Sequence, residues 1–153
     1  MNGRAEMCTF RLGKLTFGVA VEEIREVLRA RPMTIVPLSD PVVAGLMNLR
    51  GQIVTALDMR ARFGLPPREG RERPLNLVVK MRGGADVVSL IVDDVGDVIE
   101  IDEDRLEEAP TTLRGAVREL TTHVYKAEQG LILCLDVAKT VMAEETGDDM
   151  EAA

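Results

Sequence analysis

Apolar and polar residues alternate with a period of two over several stretches of this chain, and this alternation restricts the possible folds more than any other feature. Residues 8–12 and 15–19 each carry an apolar side chain at every second position, with Gly13 and Lys14 between them. Successive side chains of a β-strand point to opposite faces, so the pattern predicts two strands joined by a tight turn. We therefore expect a β-hairpin over 8–19.

A second hairpin is predicted from the segments PLNLVVKM (74–81) and DVVSLIVD (86–93). Between them, Gly83 and Gly84 can adopt the positive φ that a short connection requires. Two further strands are predicted by their apolar residues, at 95–102 and 130–136.

Helical patterns are short by comparison, and we expect helices at 21–28, 58–64 and 136–145. Two segments, GQIVTALDM and GLILCLDV, both run from a glycine through an apolar strand to Leu-Asp and a short helix. Asp58 and Asp136 are placed to cap these two helices. The spacing differs by one residue, so chance similarity is the alternative; taken at face value, the similarity predicts two related β lobes.

These elements together predict a mainly β protein with a few short helices, closed into barrels that hide the strand edges. A chain of 153 residues suits one domain or two small lobes that share a core. Cys8 and Cys134 lie within apolar alternation and have no CxxC spacing, so we expect reduced, buried packing residues. The charged segment 144–153 is expected to form a disordered tail.

Charge and hydropathy indicate the environment of the protein. No apolar run approaches the length needed to span a bilayer, and the N-terminal residues lack a signal-peptide pattern, so we expect a cytoplasmic protein. A net charge of −7 opposes adhesion to nucleic acid, and one Tyr and three Phe leave few residues on which bases could stack.

Residues that could carry catalysis or bind a cofactor are few. His123 is the only histidine and has no cysteine near it in sequence, so we expect a surface or core-edge residue. No phosphate-binding GxxxxGK[ST] loop is present, and the acidic stretch 93–108 lacks the spacing of a calcium loop. Asp93 and Asp94 would point to opposite faces of a strand, which suits acid–base chemistry poorly. We predict no catalytic residue, metal or cofactor.

Several blocks resemble the chemotaxis coupling protein family, CheW. They are Phe10-Arg11-Leu12-Gly13, LTFGVAVEEIREVL, IVPLSDPVVAGLMNLRGQIVTALDMRARFGLP, LNLVVKM, DVVSLIVDDVGDVIEI and GLILCLDV. The most specific block runs from Asn48 to Asp58, and the resemblance covers roughly residues 6–143. Two features depart from the family pattern: Thr55 stands where proline is usual, and residues 120–130 contain little glycine.

This resemblance implies a domain over 6–143 made of two small SH3-like five-stranded β barrels packed across a shared apolar seam, without an active site. It also implies a role as an adaptor between the cytoplasmic tips of chemoreceptors and the regulatory domain of the histidine kinase CheA. Such a protein would be cytoplasmic and recruited to membrane-associated receptor arrays. Residues that contact the kinase are not identified by the sequence.

The resemblance further implies that Ile24, Glu26, Asn48, Leu49 and Arg50 belong to the receptor-binding surface. Each also has a structural interpretation: Ile24 could be a core residue, Glu26 a solvated charge, and Arg50 a pin that pairs with a nearby carboxylate or carbonyl. We expect Gly45 and Gly51 to serve backbone turns.

Alternatives remain at two levels. The basic residues Arg60, Arg62, Arg68, Arg71 and Arg73 could meet the acidic stretch 93–108 of another molecule, or could form a solvated loop. For the whole protein, one alternative is an adaptor of a non-flagellar pathway that binds receptor but not kinase. A phosphotransfer or nucleotide-dependent enzyme is a second alternative, disfavoured because both the phosphate loop and a helix-borne histidine are missing.

Overall fold

Two β-sheets make up most of the structure, a computed structural model that describes residues 3–70, 73–81 and 86–141. The strands, in chain order, are β1 (Arg4–Leu12), β2 (Leu15–Ala20), β3 (Ile24–Arg29), β4 (Val43–Leu49), β5 (Gln52–Asp58), β6 (Leu75–Lys80), β7 (Val87–Val92), β8 (Asp94–Asp102), β9 (Glu107–Glu108), β10 (Thr121–Ala127) and β11 (Gly130–Leu135). The helical elements are short: α1 (Met59–Arg62), α2 (Gly115–Glu119), 3₁₀ turns at Val21–Glu23 and Glu103–Arg105, and a helical segment at 137–141.

The two sheets repeat one arrangement of strands. Their orders are β3-β6-β7-β5-β4 and β8-β1-β2-β11-β10-β9. In each sheet two antiparallel hairpins meet along a parallel pair of strands, β5 with β7 and β11 with β2. The strand that leads into each short helix, β5 or β11, therefore has one parallel and one antiparallel neighbour. The similarity between GQIVTALDM and GLILCLDV corresponds to this structural repeat.

Both predicted helix caps are confirmed. The Oδ1 atom of Asp58 accepts hydrogen bonds from the backbone N–H groups of Arg60 at 3.0 Å and Ala61 at 3.5 Å. At the other repeat, Asp136 Oδ1 accepts a hydrogen bond from the N–H group of Lys139 at 2.9 Å. Each carboxylate satisfies N–H groups that have no partner within the helix, which explains why a strand ends and a helix begins at these residues.

A single apolar core joins the two sheets. Phe10 and Phe17 of the six-stranded sheet stack with ring centroids 5.4 Å apart. The ring centroid of Phe63, which follows α1, lies 4.9 Å from that of Phe17. Leu77 and Leu90 of the five-stranded sheet belong to the same buried cluster. Each sheet also encloses a smaller core, around Ile132 in one and Val54 in the other.

The predicted mainly β fold, with two small lobes across a shared apolar seam, is confirmed. One sheet has five strands as expected; the other has six because the two-residue strand β9 pairs with β10. Both predicted hairpins are present as β1–β2 and β6–β7. The connection that contains Gly83 and Gly84 lies outside the described residues.

The helix expected at 21–28 is wrong. A 3₁₀ turn at Val21–Glu23 is followed by strand β3, which pairs with β6. Partly buried Ile24, Glu26 and Leu28 alternate with more exposed neighbours, so the period is two rather than 3.6. Hydrogen bonding to β6 decides the structure where the local pattern fits either element.

Three other predictions concern the cysteines, the tail and membrane helices. Cys8 and Cys134 are free and buried as expected, and burial raises the pKa of Cys134 to about 11. The predicted tail at 144–153 lies outside the described residues. Within the described ranges, no helix is long and apolar enough to cross a membrane.

Candidate interaction site

Arg50 lies at the tip of the β4–β5 hairpin. Leu49 and Gln52 are paired, which leaves Arg50 and Gly51 as a two-residue turn with φ values of 52° and 87°. Two positive φ values define the turn type that matches the twist of a hairpin, and asparagine or glycine usually occupies it. The Oδ1 atom of Asn48 accepts a hydrogen bond from the N–H group of Gly51 at 2.8 Å. The turn therefore holds Arg50 at an exposed position that its own backbone preference disfavours.

The side chain of Arg50 reaches Glu26 on β3. Its Nη1 and Nη2 atoms donate hydrogen bonds to Glu26 Oε2 at 2.5 Å and to Glu26 Oε1 at 2.7 Å. These bonds from Arg50 lower the pKa of Glu26 below its ordinary value. Strands β3 and β4 are the two outermost strands of the five-stranded sheet, so the ion pair joins opposite edges of that sheet.

The pair remains accessible although it is fully formed. The side chain of Arg50 is 67% exposed and that of Glu26 is 20% exposed. Two exposed apolar residues lie on the strands that carry the pair: Val27 follows Glu26 on β3, and Ile53 is paired with Asn48 across the hairpin. We call this surface the Arg50 face and define it as Glu26, Val27, Asn48, Arg50 and Ile53.

The structure separates the sequence-predicted site residues into two groups. Glu26, Asn48 and Arg50 come together at the surface. Leu49 is only 4% exposed and packs in the small core of the five-stranded sheet, and Ile24 packs partly buried against the shared core. The sequence reasoning missed Val27 and Ile53, which are 41% and 64% exposed. Ile53 could have been found from the hairpin register, which places it opposite the polar Asn48.

The expected turn role is confirmed for Gly51 but not for Gly45, which lies within strand β4 and is paired with Ala56. Gly51 supplies one of the two positive φ values of the turn. At Gly45, a Cβ atom would lie 2.8 Å from the backbone oxygen of Thr34, because residues 33–35 run beside β4. A side chain at position 45 would push this segment away from the sheet.

A second polar cluster forms around Asp93, between β7 and β8. Its carboxylate accepts hydrogen bonds from Arg60 Nε at 2.8 Å and Nη2 at 2.7 Å, and from Arg68 Nη2 at 2.9 Å. The backbone N–H group of Gly13, in the β1–β2 turn, donates a further bond at 2.7 Å. Asp93 therefore connects the β1–β2 turn of the six-stranded sheet to α1 and to the loop that follows α1.

This cluster changes the interpretation of the basic loop. The side chains of Arg60 and Arg68 are 13% exposed and bind Asp93 within the same molecule, so they neither form a solvated loop nor stand ready for the acidic stretch of another molecule. Arg73 is exposed, and Arg71 lies outside the described residues. Asp94, by contrast, pairs at the surface with Arg11 at 2.9 Å.

The remaining candidates for chemistry do not assemble into a site. His123 is exposed on β10, where its backbone pairs with Glu108. Among the residues that the structure describes, no group of three or more His, Cys, Asp or Glu side chains is arranged to hold a metal ion.

The paired lobes and their shared core define a two-lobed β domain, and comparisons with known proteins show the family to which it belongs. The sequence profile of the CheW-like domain matches residues 6–145. This chain belongs to the CheW-like domain family, whose members are non-enzymatic scaffolds of chemotaxis. The alternative of a phosphotransfer or nucleotide-dependent enzyme is therefore excluded.

Individual relatives are distant but similar over most of their length. A protein named chemotaxis protein CheW from Rhizobium meliloti is 29% identical over 144 residues, which cover 94% of this chain and 91% of the relative. A probable chemotaxis protein CheW from Rhizobium etli is 27% identical, covering 88% and 86%. The crystal structure of the scaffolding protein TtCheW from Thermoanaerobacter tengcongensis superimposes with a TM-score of 0.80 at 25% identity, covering 90% of this chain and 92% of that one.

Proposed function

We propose that this protein is a cytoplasmic adaptor that couples the cytoplasmic tips of chemoreceptors to the histidine kinase CheA in membrane-associated arrays. Membership of the CheW-like family supports this role, and so does the similarity to proteins named for chemotaxis along nearly the whole chain. The domain over 6–143 would act as the adaptor unit. The Arg50 face would bind the receptor, and the kinase would bind elsewhere.

The observation that carries this proposal is the exposed ion pair at the Asn48–Gly51 turn. Glu26 holds the guanidinium in one orientation, so a partner would meet donors that have already lost most of their freedom. Exposed Val27 and Ile53, on the same strands and hairpin, would supply apolar area for a contact of transient type. In this proposal Leu49 and Ile24 act indirectly. They pack in the apolar cores and support the turn and the strand that present Arg50 and Glu26.

Co-sedimentation tests the proposal directly. The protein is mixed with membranes that carry the cognate chemoreceptor, with and without CheA, and the bound fraction is measured in each case. The proposed adaptor binds receptor membranes alone and increases the amount of kinase that sediments. An adaptor of a non-flagellar pathway that binds only receptor would sediment without recruiting CheA, and absence of binding to receptor membranes would refute the receptor role.

A further inference from the structure

Two polar side chains are buried within the described strands of the five-stranded sheet, Asn76 on β6 and Ser89 on β7. The Oγ atom of Ser89 donates a hydrogen bond to Asn76 Oδ1 at 2.8 Å, and Asn76 Nδ2 donates one to the backbone oxygen of Arg29 at 3.3 Å. Arg29 is the last residue of β3, so the two bonds connect three adjacent strands. We call Arg29, Asn76 and Ser89 the Asn76 network.

The apolar pattern of these strands does not select their register. All six residues of β7 are buried, and β6 is buried at every position between its two ends. Strands that are buried on both faces are apolar nearly throughout, so a shift along a neighbour keeps most apolar groups buried. On β3 the alternation distinguishes the two faces, but a shift by two residues restores the same alternation. A directional contact is needed to select one register.

A shifted register would break the Asn76 network. In the observed register Ser89 is paired with Val78, two residues from Asn76, so the two polar residues are diagonal neighbours on one face. Moving β3 by two residues along β6 would carry the Arg29 oxygen about 6.6 Å away from the Asn76 amide. Moving β6 along β7 would separate that amide from the Ser89 hydroxyl. Either shift leaves a buried polar group without its partner, which disfavours the shifted state.

The same registers decide whether Glu26 meets Arg50. These residues belong to opposite edges of the sheet, because Glu26 lies on β3 and Arg50 follows β4. The pairings β3–β6, β6–β7 and β7–β5 lie between them, and Ser89 itself is paired with Ala56 of β5. A shift of one residue in any of these pairings moves Glu26 by about 3.3 Å relative to Arg50, which is more than their hydrogen bonds tolerate.

We infer that Asn76 and Ser89 are positioning residues for the Arg50 face: their buried hydrogen bonds fix the registers of β3, β6 and β7, so that Glu26 is presented to Arg50. The two polar groups then serve the choice of one conformation rather than stability, since replacing both partners of a buried pair by apolar groups can be nearly neutral. The consequence for receptor binding rests on the proposed function, whereas the consequence for the Glu26–Arg50 pair does not.

The test uses the double variant N76V/S89A, which replaces both partners by apolar residues. The matched control is T121V, which removes a buried hydroxyl of the six-stranded sheet that has no hydrogen-bond partner among the described residues. Three quantities are measured without any receptor: the melting temperature, the hydrogen exchange of the β3 amides, and the pKa of Glu26, followed by NMR of its carboxyl carbon. In the wild type, hydrogen bonds from Arg50 keep the pKa of Glu26 below its ordinary value.

We expect N76V/S89A to melt at or above the wild-type temperature. Its β3 amides should exchange at least about tenfold faster, and the pKa of Glu26 should rise to the ordinary value of a glutamate. Binding to receptor membranes should fall at least about fivefold. T121V should leave exchange, pKa and binding unchanged. If N76V/S89A does not fold, S89A carries the same test, because it breaks the link between β6 and β7 and keeps the bond to Arg29.

A folded N76V/S89A with the wild-type pKa of Glu26 and wild-type exchange in β3 would overturn the inference, even if its melting temperature changed. Equal effects in T121V would also overturn it, since the loss of any buried polar group would then act alike. If exchange and pKa respond as expected but the wild type does not bind receptor membranes, the positioning role is supported and the proposed receptor role is refuted.

Discussion

At the scale of single residues, Arg50 combines a structural ion pair with the exposure that its proposed role in receptor binding needs. Its donors bind Glu26 across the sheet, which is the pairing expected of a structural pin. Its side chain is 67% exposed and its backbone is held at a positive φ of 52°, so the guanidinium is presented to solvent at a conformation that arginine rarely adopts. An exposed ion pair contributes little to stability, so the fold gains less from Arg50 than a partner could.

Two substitutions at position 50 separate these roles. We expect R50E to reduce receptor binding at least about tenfold, because it removes the donors and places two carboxylates side by side. The variant R50N should reduce receptor binding as well, while its melting temperature stays equal or rises, because asparagine suits a positive φ in this turn. Receptor co-sedimentation, CheA binding and thermal melting are measured on both variants. A parallel fall of stability, receptor binding and kinase binding in R50N would show that Arg50 is mainly a structural pin.

At the scale of elements, the alternation of apolar and polar residues predicted the hairpins, because a strand that is buried on one face has an apolar residue at every second position. The same signal failed at β3, where Val21, Ile24 and Val27 also fit a helical spacing. The contacts of Asp93 could not be predicted from the sequence, because Gly13, Arg60 and Arg68 lie 80, 33 and 25 positions away from it. Local patterns encode elements and caps, whereas ion pairs between elements depend on how the sheets pack.

The cap of α1 gives an element-scale prediction. Asp58 accepts hydrogen bonds from the backbone of Arg60 and Ala61, so D58A should lower the free energy of unfolding by about 1 kcal/mol. The variant D58N retains a side-chain oxygen and should lose much less. Urea denaturation of both variants measures the difference. Equal stability of D58A and the wild type would mean that the cap does not stabilise the fold.

At the scale of the whole molecule, one apolar core and one polar cluster connect the lobes. The core holds the two sheets together through buried, close-packed apolar side chains. The cluster is directional: Asp93 binds the β1–β2 turn through Gly13 and binds α1 through Arg60. In the proposed adaptor, the receptor-binding face stays aligned with a kinase contact elsewhere only if the lobes keep their relative orientation, so we expect this cluster to set the geometry of the adaptor.

The cluster also predicts how stability depends on pH. Burial opposes ionisation of Asp93, but hydrogen bonds from Arg60, Gly13 and Arg68 outweigh it and lower the pKa well below its usual range. The stabilisation is therefore fully present above the unfolded pKa of about 3.9, and it is lost progressively as the pH falls from there towards the folded pKa. The wild type should lose stability on acidification partly through this carboxylate.

The variant D93N tests this account, with D94N as the matched control on the neighbouring residue. At neutral pH, D93N should lower the free energy of unfolding by about 2–3 kcal/mol, because two largely buried guanidinium groups lose their counter-charge. Its stability should then fall less steeply than that of the wild type below about pH 4. D94N should resemble the wild type, because Asp94 pairs with Arg11 at an exposed position, where an ion pair contributes little to stability. Urea denaturation between neutral and acidic pH measures all three proteins, and identical acid profiles for D93N and the wild type would rule out Asp93 as the group that links the lobes to pH.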